Sequence, residues 1–170
     1  MQPESAVGQD VMLEAMTIYV ACTVRGNRGA LEAARALTSM LERRGHTVLT
    51  THLLADDADA AEGALTERQV YKRDIAWLES ADLLIAEASG SSYGVGFEVG
   101  YVLGRSAQTR QRVLLVFDEA RRPAISRMIS GTAHPACTVC GYHDAADLLG
   151  VVEDYLSSST PTVKGGPTRT

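Results

Sequence analysis

The sequence predicts a parallel α/β domain of three layers, with helices on both faces of a five-stranded sheet. Three observations predict it. Apolar, β-rich runs alternate with segments of helical periodicity along the chain. No hairpin dipeptide joins two of the runs, so consecutive strands are joined by crossovers rather than tight turns. The run Asp82 to Ala86 (DLLIA) is nearly all apolar, as in a strand buried on both faces. Right-handed crossovers then leave few topologies, and the Rossmann/flavodoxin-like order 2-1-3-4-5 is expected.

Thr17 to Cys22 (TIYVAC) is the first strand, followed by TVRGNRG with Gly26 and Gly29 as loop punctuation. Ala30 to Arg44 reads as a helix, because Leu31, Ala34, Leu37 and Leu41 recur at helical spacing and Gly45 ends it. His46 to Thr50 is the second strand. Leu53 to Ala64, rich in Ala and Asp, is expected to be a mobile connector. Thr66 is a good N-cap for a helix over Glu67 to Ser80, with Val70, Ile75 and Leu78 on one side and Asp74 among them. Asp82 to Ala86 is the third strand. A Gly/Ser-rich turn over Ser89 to Gly96 leads into a helix to about Ala107. Arg112 to Phe117 is the fourth strand, Ala124 to Ser130 a short helix, Ala136 to Cys140 a weak fifth strand and Ala145 to Leu156 a last helix. One domain is expected over residues 16–156, with a flexible segment over 1–15. A disordered, Pro/Gly-rich tail is expected over 157–170.

Composition bounds the function. The 170 residues suit one domain, and 45% hydrophobic with 22% charged residues is ordinary globular usage. A net charge of −5 disfavours binding of a nucleic-acid polymer, which needs clustered Lys and Arg. No apolar run approaches the ~20 residues of a membrane span. The N-terminus lacks a basic n-region and an apolar h-region, and three Cys make no disulfide framework. A cytoplasmic protein with reduced thiols is expected.

The segment Ser91-Ser92-Tyr93-Gly94-Val95-Gly96-Phe97-Glu98 is the strongest chemical feature. Glycines after a buried strand free backbone N–H groups to approach an anion, and a following helix adds its positive end. The plain alternative is an ordinary strand-to-helix turn. A dinucleotide fingerprint fits poorly, because that motif follows the first strand and this one follows the third. Glu98, read as lying in the first helical turn, is either dipole decoration or an ionised nucleophile. Asp74, in Lys72-Arg73-Asp74, is part of a solvated face, or paired with a neighbouring basic residue, or a second carboxylate entering the same cleft. Near apolar neighbours it is the candidate for the protonated partner, and paired carboxylates suit glycosyl transfer. Arg25, with Gly26 and Asn27, ends strand one at the switch point, where it can bind a phosphate. Tyr19 reads first as core, His52 as surface and Ser126 as a helix cap. His134, Cys137, Cys140 and His143 imitate a zinc site, but residues three apart on a strand point to opposite faces, so no metal is expected.

With these residues in view, the chain resembles the 2′-deoxynucleoside 5′-phosphate N-hydrolases of the nucleoside 2-deoxyribosyltransferase superfamily. The likeness runs from about Ile18 to Leu156. It is carried by Ile18-Tyr19 with Val24-Arg25-Gly26, Thr47 to Thr50 with His52, and Asp74 with Trp77-Leu78 and Ala81-Asp82. Ser92-x-Gly94-Val95-Gly96-Phe97-Glu98-Val99-Gly100 and Ser126-x-Met128-Ile129 complete it. The resemblance implies that Glu98 is the nucleophile and forms a glycosyl-enzyme intermediate. It implies that Asp74 assists proton transfer and positions the sugar, with Tyr19 and the apolar Val70 beside it. Thr23, Arg25, Gly26, Asn27, Ser92, Gly94 and Gly96 are implied in the 5′-phosphate cradle, and His52 on the base side. Ser126, with Met128 beside it, is implied to reach the phosphate from a neighbouring subunit, so the site is shared across a homodimer. Water then releases 2-deoxyribose 5-phosphate, with no cofactor implied. Cys22-Thr23 stands where close relatives carry Gly-Ser, and Asn27 and Tyr93 also depart from the pattern.

Overall fold

The computed structural model describes residues 14–23, 31–54 and 63–159. Arg25, Gly26 and Asn27 therefore lie outside the described residues, as do most of the expected connector and nearly all of the two expected terminal segments.

The elements run in the expected alternation. They are β1 (Thr17–Ala21), α1 (Leu31–Arg43), β2 (Thr47–Val48), a 3-10 turn (Thr51–Leu54), α2 (Glu67–Ser80), β3 (Leu83–Glu87) and α3 (Tyr93–Arg105). Then follow β4 (Arg112–Asp118), a second 3-10 turn (Glu119–Ala124), α4 (Arg127–Ser130), β5 (Cys137–Tyr142) and α5 (Ala145–Ser159). The sheet order is β2-β1-β3-β4-β5, as the crossover argument predicts, and every pair is parallel.

Strand alternation divides the core. Ile18, Val20, Leu83, Ile85, Leu114 and Val116 pack with Leu37 and Leu41 of α1 and Leu148 and Val152 of α5. Tyr19, Ala21, Leu84, Ala86, Leu115 and Phe117 pack on the other face with Leu78 of α2 and Val95, Val99 and Val102 of α3. Tyr19 is thereby aimed at the two helices that carry Asp74 and Glu98.

Three expectations are corrected. The second strand spans two residues rather than His46 to Thr50. The Thr50 hydroxyl accepts from the Val20 N–H at 3.1 Å and donates to the Val20 carbonyl at 2.6 Å, taking over the backbone partners of a longer ladder. The fifth strand ends later, at Tyr142, where its register still pairs with Asp118. The short helix expected over Ala124 to Ser130 splits. A 3-10 turn capped by Asp118 ends at Ala124, and α4 restarts after an extended Ile125.

Two devices fix α2. Thr66 and Gln69 form a capping box at its start. At its end the Gln111 amide donates to the Leu78 and Ala81 carbonyls at 2.6 and 2.7 Å. Orphan carbonyls of the last turn are thereby satisfied.

Candidate active site

The site lies beyond the carboxyl ends of β1 and β3, on the α2/α3 face, where sheets of this order bind ligands. Tyr19 is fully buried, and its hydroxyl donates to Glu98 Oε1 at 2.7 Å. Glu98 is the sixth residue of α3, and burial raises its carboxyl to about 7. The Asp74 charge raises it further, while the Tyr19 hydrogen bond acts in the opposite sense. Tyr19 is itself pushed far up by burial and by Glu98, so it stays a neutral donor.

The expected first-turn placement of Glu98 is thus corrected. Helix α3 begins at Tyr93, which leaves Glu98 in the second turn, where the helix end has lost most of its field. Desolvation then dominates.

Asp74 is half-buried and not isolated among apolar neighbours. Its Oδ1 accepts from Arg73 Nε at 2.8 Å. Adjacent helix residues do not normally face each other. The Arg73 guanidinium lies over the Trp77 ring, 4.9 Å from its centroid, which leads the arginine back toward Asp74. Trp77 in turn meets His52 edge-on at 5.1 Å. His52, Trp77, Arg73 and Asp74 therefore form one connected group. Val70 is half-buried one turn before Asp74.

Ser92 caps α3, its Oγ accepting from the Gly94 N–H at 3.2 Å, which leaves the hydroxyl proton to be donated elsewhere. Ser91 adopts φ 54°, a left-handed conformation uncommon for serine. Thr23, just past β1, is buried, and its Oγ1 has no partner among the described residues. A side chain at Gly96 would meet open space, whereas one at Gly94 would come within 3.4 Å of Ser92 Oγ.

Ser126 stands at the N-cap of α4 but makes no side-chain cap bond, and it is exposed. The adjacent Met128 is 87% exposed. Between α3 and α4 runs an apolar groove of about 640 Å³, walled by Val95, Val99, Leu103, Ile125 and Ile129. Ser126 and Met128 line it, and Tyr19 and Glu98 do not. Among the described residues no group of three or more His, Cys, Asp or Glu could hold a metal ion. Cys137 and Cys140 are free thiols pushed up by burial, Cys137 to about 11. No helix among the described residues is long and apolar enough to cross a membrane.

Residues 18–143 match the model of the nucleoside 2-deoxyribosyltransferase family. The chain belongs to this family. A Thermofilum pendens relative, provisionally named 2′-deoxynucleoside 5′-phosphate N-hydrolase 1, is 38% identical over 85% of this chain and 97% of its own. The 5-hydroxymethyl-dUMP N-hydrolases of Danio rerio and Homo sapiens are each 30% identical over 85% of this chain, covering 99% and 81% of their own. The solved CMP N-glycosidase of Clostridium botulinum shares the fold with a TM-score of 0.61, at 18% identity over 82% of this chain and 98% of that one. The family resemblance and fold class read from the sequence both hold.

The pairing of Asp74 with a neighbouring basic residue, one of the readings open in the sequence, is made by Arg73. The sequence reading missed the buried acid Glu87, which closes an apolar strand and whose only signal there was a lone acid.

Proposed function

We propose that the protein hydrolyses the N-glycosidic bond of 2′-deoxynucleoside 5′-monophosphates. The products are 2-deoxyribose 5-phosphate and a free base. The observation that carries this reading is one half-buried carboxyl, Glu98, held by the Tyr19 hydroxyl and acted on by Asp74. The names of the N-hydrolase relatives favour a nucleotide substrate and water as acceptor.

In the proposed mechanism the ionised Glu98 attacks the anomeric carbon. The glycosidic bond breaks, its electron pair leaves with the base, and the base takes up a proton. Asp74 positions the sugar and assists proton transfer. Water then attacks the same carbon, Glu98 departs as a carboxylate, and the water's second proton goes to solvent. A carboxyl near 7 is ionised in a large share of molecules at neutral pH, yet only weakly solvated, which favours nucleophilic attack. Tyr19 orients one oxygen and leaves the other for the sugar.

Thr23 and Ser92, with Arg25, Gly26, Asn27, Gly94 and Gly96, are assigned to the 5′-phosphate. Among the described residues the Thr23 hydroxyl has no partner and the Ser92 hydroxyl donates no hydrogen bond, which supports this. His52 and Val70 are assigned to the substrate's base and sugar sides. Ser126 and Met128 are assigned across a homodimer. The apolar α3–α4 groove, with Tyr93 99% exposed beside it, supports a second copy of the chain as its cover. The reading keeps the protein in the cytoplasm, which three free cysteines favour. The substrate is a mononucleotide, not a nucleic-acid polymer or a membrane lipid.

The test is a panel of deoxy- and ribonucleotides, with and without the 5′-phosphate, assayed for free base. Release confined to deoxynucleoside monophosphates is expected; release from unphosphorylated nucleosides alone would overturn the assignment. The family's name favours transfer of deoxyribose between bases as the second reading. An added acceptor base that appears as a new nucleotide would establish it.

A further inference from the structure

Glu87 is the last residue of β3 and is fully buried. Alternation along the strand turns it, with Leu83 and Ile85, to the face opposite Glu98. Three donors converge on its Oε1. They are the Ser89 N–H at 3.1 Å, the Tyr142 hydroxyl at 3.0 Å and the Ser89 hydroxyl. Its Oε2 is buried with no partner among the described residues. Burial pushes the carboxyl above the ordinary range. An apolar residue would continue the strand at no such cost, because a buried acid is unfavourable even when hydrogen-bonded.

What the acid gains is control of the turn that follows. Ser89 Oγ, tied to Glu87, also accepts from the Asp118 N–H at 2.7 Å. The Asp118 side chain caps the second 3-10 turn through the Ala120 N–H at 2.8 Å. That turn ends at Ala124, whose carbonyl accepts from the left-handed Ser91 at 3.1 Å. The bonds thus close a ring running from Glu87 through Ser89, Asp118, Ala124 and Ser91. Ser92 hangs from one end of the ring and Ser126 from the other.

We infer that Glu87 is a positioning residue for the phosphate end of the site, fixing the Ser89–Ser92 turn and the segment leading to Ser126 in one arrangement. This rests on the proposed role of Ser92 and Ser126 as phosphate contacts. Glu87 touches no reacting atom. Its effect falls on binding of the 5′-phosphate and not on the glycosidic bond. Only the acceptor oxygen matters, so an amide can replace the acid.

The experiment measures KM and kcat for a deoxynucleoside monophosphate, inhibition by inorganic phosphate, and melting temperature. Glu87→Leu and the milder Ser89→Ala are expected to raise KM about tenfold or more with kcat changed less than about threefold, the pattern of lost uniform binding. Inhibition by phosphate weakens in parallel. Glu87→Gln restores KM to within about threefold of the unsubstituted protein. If Glu87→Leu does not fold, Ser89→Ala decides. A lowered melting temperature with KM and phosphate inhibition unchanged in Ser89→Ala overturns the inference and leaves the hydrolase reading standing. An unsubstituted protein that releases no base overturns the hydrolase reading and this one with it.

Discussion

The Tyr19 hydroxyl reaches Glu98 at 2.7 Å across 79 positions of sequence, joining the middle of β1 to the second turn of α3. That bond and the Asp74 charge act on one carboxyl in opposite directions.

The first prediction is a pH profile. The kcat/KM for base release is expected to fall on the acid side with an apparent pKa near 7, because attack needs ionised Glu98. Tyr19→Phe removes the bond that favours the charged form, so the acid limb moves up. Asp74→Asn removes a repelling charge, so the limb moves down even as the maximal rate drops. Limbs unmoved in both variants would separate Glu98 from the titration.

The second prediction sets stability against function. Glu98→Gln should abolish turnover by roughly a thousandfold or more. The same change should stabilise the fold at pH 8. The folded-state carboxyl, raised from 4.5 to about 7, holds its proton where the unfolded chain has already lost it. Its contribution to stability is therefore full below pH 4.5 and is lost as pH rises through 7. The penalty at pH 8 is of the order of 3 kcal/mol, so denaturant melts of Glu98→Gln and the unsubstituted protein should diverge from pH 5 to pH 8.

A third prediction concerns the shared site. Glu98→Gln and Ser126→Ala proteins are each expected to be impaired alone. Mixed, unfolded and refolded together, they should recover about a quarter of the normal site count, because a two-fold hybrid rebuilds one intact site. No recovery in a mixture proven to contain hybrids would place Ser126 in its own subunit's site or outside it. Met128→Glu, set in the α3–α4 groove, should shift the species seen by sedimentation toward monomer.

The fourth prediction isolates α2. Thr66→Ala removes the capping box and should cost about 1 kcal/mol in chemical denaturation. Turnover per folded molecule should stay unchanged, because the Gln111 clamp still holds the helix end beyond Asp74. A fall in kcat without loss of stability would tie the cap to Asp74 placement.

Much of this arrangement could be read from residue types. Alternation in TIYVA sets Tyr19 against Ile18 and Val20 without saying which helices it meets, and the lack of hairpin turns leaves parallel crossovers as the connection. The upward shift of the Glu98 carboxyl could not be read, because it depends on where α3 starts and on how deeply the side chain is covered. The length of β2 was equally hidden, since β-branched Thr50 looks like one more strand residue while its hydroxyl replaces the backbone. The ion pair of Asp74 with a neighbouring basic residue was open in the sequence, but its extension through Arg73 to the Trp77 ring and on to His52 was not. Arg25, Gly26 and Asn27 lie outside the described residues, and their assignment rests on sequence alone.

The brevity of β2 leaves the two margins of the sheet unequal. A foreign polypeptide aligning against β2 would find two residues to pair with, too few to register, while β5 offers six, Cys137 to Tyr142. Aggregation of this protein by intermolecular pairing should accordingly start at the β5 margin, and charged substitutions at the exposed Thr138 are where solubility would be gained.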